Sequence, residues 1–165
     1  GSGGEMNGIS AQGMVFIHSA HRALLSHLEW TIGRVFGQPI PMRWQPIDQD
    51  QFRAEFHWQG NDQHGSELAA ELMGWKTLRF EVTQQDHRWS YTPNLGLFHS
   101  DTDEAGNILV NEFRLTNALE SSGSNAIELQ RQMRILIGQP WDDELEKFRI
   151  SGENAPVIWL RSVAN

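Results

Sequence analysis

The sequence predicts an α+β fold: a ferredoxin-like βαββαβ part over residues 14–83, extended by further antiparallel strands and C-terminal helices. Three observations carry this. Met14, Val15, Phe16, Ile17 and His18 form a short apolar run, as in a strand buried on both faces. Residues 51–58 alternate, with Phe52, Ala54, Phe56 and Trp58 on one side and Arg53, Glu55 and His57 on the other. Apolar residues at helical spacing, closed by Gly or Pro, occupy the stretches between and after the strands.

Each element follows in order. Residues 14–18 are the expected central strand. Ser19 is placed to cap a helix with the stripe Leu24, Leu25, Leu28, Ile32, Val35 and Phe36, which Gly37 and Pro39 end. Residues 42–47 read as a weaker strand, confined to an edge by Pro41 and Pro46. After the alternating strand, Ser66 is placed to cap a second helix carrying Leu68, Leu72 and Met73, with Gly74 as its stop. Residues 77–83 alternate again, inward at Leu78, Phe80 and Val82. Residues 88–92 and 95–99 read as strands around Pro93 and Asn94, residues 103–107 as a turn, and residues 108–110 as a short strand.

The remainder is helical. Asn111 caps one helix, and Ser124 caps another through residues 127–137, which Gly138 and Pro140 stop. A third covers residues 142–150, with Leu145 and Phe148 inward; residues 157–160 form an apolar run without a clear assignment. Gly1, Ser2, Gly3 and Gly4 read as an expression scar heading a flexible stretch through residue 13, with Met6 or Met14 as the natural start. Residues 14–165 are expected to form one domain.

Composition narrows the function. A net charge of −8 disfavours a sequence-independent grip on nucleic acid and an anionic membrane surface. The absence of cysteine removes disulfide and thiolate chemistry and fits a reducing cytoplasm. Neither a membrane span nor a signal peptide is legible. Seven Trp are too many for a small domain to hide completely, and 11 of the 13 basic residues are Arg. Trp and Arg together mark groove rims and binding surfaces.

The chemical motifs are weak. Asp101, Asp103, Gly106, Ile108 and Glu112 meet a calcium-loop spacing, but Ala105 supplies no oxygen where one is needed, and a strand precedes where a helix should. A hairpin turn followed by a capped helix accounts for the same residues. The seven His lack helical metal-ligand spacing and have no cysteine to complete a zinc set, so no metal or other cofactor is expected. No nucleophile elbow, P-loop or dinucleotide fingerprint appears. Should the chain be an enzyme, His18 and His99 are the first pair to test, both at expected strand ends.

Five strings carry a family resemblance: residues 14–20, 28–30, 78–83, 95–99 and 141–146. On these the chain resembles the actinobacterial domain-of-unknown-function family 3145, from Met14 to the C-terminus. The resemblance implies an intracellular protein with a link to acyl metabolism, and brings no catalytic residue. It also implies a Gly-Asp hairpin where this chain has residues 103–107, without the first two acidic positions.

The expected function is a non-enzymatic protein-binding or regulatory module. A small-ligand domain for an acyl or aromatic group, bound between the sheet and the C-terminal helices, is the alternative, followed by a hydrolase-type enzyme. The partner is expected to be a protein, with room for a homo-oligomer. Trp141, at a helix start beside Asp142 and Asp143, is the candidate docking anchor; packing back on Leu145 is its competing role.

Overall fold

The computed structural model describes residues 10–149. Their order is β1 (Ala11–His21), α1 (Leu25–Phe36), β2 (Gln45–Asp48), β3 (Gln51–Gly60), α2 (His64–Leu72), β4 (Arg79–Gln84), β5 (His87–Thr92), β6 (Gly96–Thr102), β7 (Ile108–Leu109), α3 (Glu112–Ser122), α4 (Ala126–Leu136) and α5 (Gln139–Arg149). The fold is α+β, with one antiparallel sheet ordered β2-β3-β1-β4-β5-β6-β7. The apolar run of residues 14–18 lies in β1, between β3 and β4. The scar, the apolar run at 157–160 and Ile150 lie outside the described residues.

Register decides which side chains share a face. Ile17 pairs with Phe80 and Val15 with Val82, while Phe16 pairs with Glu81 one step over. Across the next strands Glu81 faces Ser90 and then Phe98, whereas Val82 faces Trp89 and then His99. One face therefore carries Val15, Ile17, Phe80, Val82 and Trp89. Leu28 and Ile32 of α1 and Leu68 and Leu72 of α2 seal it into the main core. The other face carries Phe16, His18, Glu81, Ser90 and Phe98, and α5 lies across it. There Phe98, Trp141 and Leu145 make a second, smaller core.

Several caps differ from expectation. β1 runs three residues further at each end, so residues 11–13, expected in a flexible stretch, pair with β3, and Ser19 is buried in the strand; His21 accepts from the Ala23 N–H through Nδ1, ahead of a short 3-10 turn, Arg22–Leu24. Pairing with β3 and β4 outweighs the local capping preference of Ser19. α2 begins at His64, so Ser66 is already inside it, its hydroxyl donating to the Gln63 carbonyl. α4 is capped by Asn125 rather than Ser124, its side chain accepting from the Glu128 N–H at 3.0 Å. Asn111 caps α3. Pro140, expected as a stop, instead stands in the first turn of α5, where its missing N–H costs nothing.

Candidate functional site

A groove runs along the outer side of α1. Ser26, Glu29, Trp30, Gly33, Arg34 and Gly37 recur at intervals of three and four, so they line one stripe of the helix. Gly37, at φ 73°, ends α1 in the left-handed conformation and turns the chain back, so that residues 38–41 form the second wall. That wall sits close: a Cβ on Gly33 would stand 2.9 Å from the Gln38 carbonyl oxygen. The Glu29 carboxylate then pins the chain beyond it, accepting from the Met42 N–H (3.2 Å) and the Trp44 indole (2.9 Å). Between the walls lies an open groove of about 640 Å³, with Pro39, Ile40 and Pro41 opposite Trp30.

Trp30 is the exception among the described Trp residues. Trp58, Trp89 and Trp141 are buried and Trp44 and Trp75 partly so, whereas Trp30 is 65% exposed. The Arg34 guanidinium lies 4.7 Å above its ring and bonds Glu71 of α2 at 2.6 Å. The lining offers apolar surface and an amphipathic ring, with its carboxylate already spent on Met42 and Trp44.

The most perturbed ionisable groups lie elsewhere, under α5. His18 Nε2 is 2.8 Å from Glu81 Oε1, and both side chains are fully buried. Arg149 reaches Glu81 with two bonds, Nε at 2.9 Å and a terminal nitrogen at 2.6 Å; the same terminal nitrogen contacts Asp142 at 2.9 Å. Arg88 also bonds Asp142, and the Ser90 hydroxyl donates to Glu81 at 2.6 Å. Burial alone would raise the Glu81 carboxyl, but the Arg149 charge and the bonds from His18 and Arg149 hold it well below the carboxylate range. Burial pushes His18 below the usual imidazole value despite Glu81. Two carboxylates thus balance two guanidinium groups around a neutral imidazole, the condition for tolerating so much buried charge. The arrangement ties β1, β4, β5 and α5 together.

The expected site residues are dispersed. Trp141 is only 9% exposed; its ring packs on Phe98 at 5.1 Å and its indole donates to the Gly96 carbonyl at 2.9 Å. It shares a small core with Phe98 and Leu145. Asp142 is half-buried in the ionic network and Asp143 is exposed. His18 and His99 lie on opposite faces of the sheet, because two-residue periodicity separates Glu81 from Val82, so they cannot act on one substrate atom. A ligand groove was expected between the sheet and the C-terminal helices; of these helices, α5 packs on the sheet through the ionic network and the second core.

The acidic hairpin is likewise self-satisfied. Asp103 accepts from the Ala105 and Asn107 N–H groups at 3.0 and 2.8 Å and from the Asn107 side chain at 2.9 Å. Asp101 belongs to β6 and contacts His87 instead, while Glu112 opens α3. The family model described as "Protein of unknown function (DUF3145)" matches residues 14–162. The chain belongs to this family. No curated protein and no solved structure matches it.

For this DUF3145 chain the groove was only partly foreseeable. Trp and Arg excess announced a rim, and Trp30 falls outside the apolar stripe of α1, which was the available signal. Residues 38–41 showed only as a helix stop, since sequence spacing does not say where a chain returns. The pairing at the centre of the ionic network left no local signal: Glu81 and Arg149 are 68 residues apart. No helix among the described residues is long and apolar enough to cross a membrane.

Proposed function

We propose that this DUF3145 chain is a non-enzymatic binding module whose groove along α1 takes an apolar segment of a partner protein. The observation that carries this is Trp30, 65% exposed on the wall of a groove of about 640 Å³ with Arg34 held over it. An exposed ring of this size beside a pre-positioned Arg has the composition of an interface hot spot. The groove is open, which suits a polypeptide better than a small acyl or aromatic ligand needing enclosure. A net charge of −8 favours a partner with Lys or Arg flanking the apolar residue. The strand order β2-β3-β1-β4, with α1 and α2 on one face, supports a ferredoxin-like unit as the scaffold. A cytoplasmic setting is part of the same proposal, in keeping with the lack of cysteine.

The test is selection of a displayed random-peptide library on the wild-type chain, with Trp30→Ala as counter-screen. Enriched peptides should carry a bulky apolar residue next to basic ones and lose binding to Trp30→Ala. Failure to enrich any sequence, or peptides binding both proteins equally, contradicts the proposal. So does saturable one-to-one binding of a long-chain acylate that depends on Trp30, which would assign the groove to a small ligand.

A further inference from the structure

We propose that His87, His99 and Asp101 form a binding site for a divalent first-row transition ion of the zinc class. Antiparallel pairing of β5 with β6 sets His87 directly opposite Asp101 and Trp89 opposite His99. The three candidate ligands therefore project from one face of a rigid two-stranded ribbon, at one opposed and one diagonal position. Sequence spacing hides this, because the ligands converge across the ladder rather than along a helix.

The distances fit an ion. His87 Nδ1 is 3.1 Å from His99 Nε2 and 3.2 Å from Asp101 Oδ1, and all three ligand atoms lie within 4.8 Å of one another. An ion bound at about 2.0–2.1 Å holds its ligand atoms roughly 3.0 Å apart in octahedral geometry and about 3.4 Å apart in tetrahedral geometry. Two of the three separations already match. A single proton bridges only one of the two short contacts at His87 Nδ1, whereas a cation satisfies all three lone pairs together.

The surroundings hold the ligands in place. The His99 ring stacks on Trp89, centroids 4.8 Å apart and planes within 5°, which fixes the direction of its nitrogen. The other nitrogen of His87 faces Asp86 at 3.6 Å, the carboxylate partner that ligating imidazoles commonly have. Asp101 is 67% exposed, so an ion can enter and water can complete its coordination. Two imidazoles with one carboxylate select zinc, copper or nickel over calcium or magnesium, which take oxygen donors. Three protein ligands leave at least one position open for an exchangeable ligand.

The experiment titrates the chelator-stripped full chain with zinc chloride by calorimetry, following histidine ¹⁵N resonances in parallel. One ion per chain, at micromolar affinity, should shift the His87 and His99 resonances. His99→Ala and Asp101→Asn should each weaken binding by about 10-fold or more, while His57→Ala should not. Both ligand changes are at exposed positions, and melting curves without ion should match the wild type. Binding no tighter than millimolar overturns the proposal. Tight binding that survives the His99→Ala/Asp101→Asn double change also overturns it, by placing the ion elsewhere.

Discussion

Glu81 holds four partners at once, His18, Ser90, Arg149 and, at 3.8 Å, Arg88, so its loss leaves buried cations uncompensated. Glu81→Gln should lower unfolding free energy by about 3–5 kcal/mol, read from urea denaturation, because breaking one side of a buried ion pair strands the other. A change within 1 kcal/mol of wild type would show that Asp142 alone suffices, to order of magnitude. The same residues contribute to the pH response, beside Asp103 and Glu128, which hydrogen bonds also hold below the ordinary carboxylate range. His18 has a folded value below its ordinary 6.5, so below about pH 6.5 the unfolded chain binds its proton first and stability falls. Glu81 is held below its ordinary 4.5, so a second loss begins under about pH 4.5. Urea midpoints should therefore drop in two stages on acidification. His18→Gln should flatten the first stage and spare the second. A midpoint that rises on acidification from pH 7 to 5 would contradict this assignment. His18 and Asp142 stood out in the sequence for other roles, but Glu81 did not: it occupies the polar phase of an alternating strand, where solvent exposure is the ordinary expectation.

At the scale of elements, strands were more legible than caps. Residues 51–58 alternate because one face of β3 meets the helices. Even so, Arg53 on the other phase is only 4% exposed, so alternation marks sides and leaves coverage undetermined. Capping assignments at Ser19, Ser66 and Ser124 missed by one to a few residues, because sheet pairing and the His21 and Asn125 side chains decided two of the boundaries, while α2 starts at His64 with no side-chain cap. Glycines gave firmer guidance where the backbone required them. Gly138 has φ 78°, and a Cβ there would stand 2.8 Å from the Phe98 ring, whereas Gly37 has φ 73° with open space around it. Gly138→Ala should destabilise by about 3 kcal/mol, strain and overpacking together. Gly37→Ala should cost only about 1 kcal/mol, the backbone strain alone. Thermal unfolding of the two variants checks the ranking. Equal losses would mean that α5 shifts to relieve the contact with Phe98.

For the whole molecule, the described Trp residues divide into buried and exposed ones, and the proposed function assigns recognition to the exposed Trp30. Trp58, Trp89 and Trp141 are walled into the two cores, one on each face of the sheet, while Trp30 stands outside both. Excess aromatic residues in the sequence pointed to a binding surface. Choosing among the six described required the return of residues 38–41 beside α1, which turns an exposed helix stripe into a groove. The contrast between Trp30 and Trp141 is the most direct measurement of this division. Affinity for a peptide selected on the wild type, and melting temperature, are measured for Trp30→Ala and Trp141→Ala. Trp30→Ala should lose about 2 kcal/mol or more of affinity with little change in melting temperature. Trp141→Ala should melt several degrees lower, losing about 3–5 kcal/mol of stability, and bind normally once folded. The reverse pattern, with affinity lost at Trp141 and stability lost at Trp30, would contradict the groove as the site of recognition.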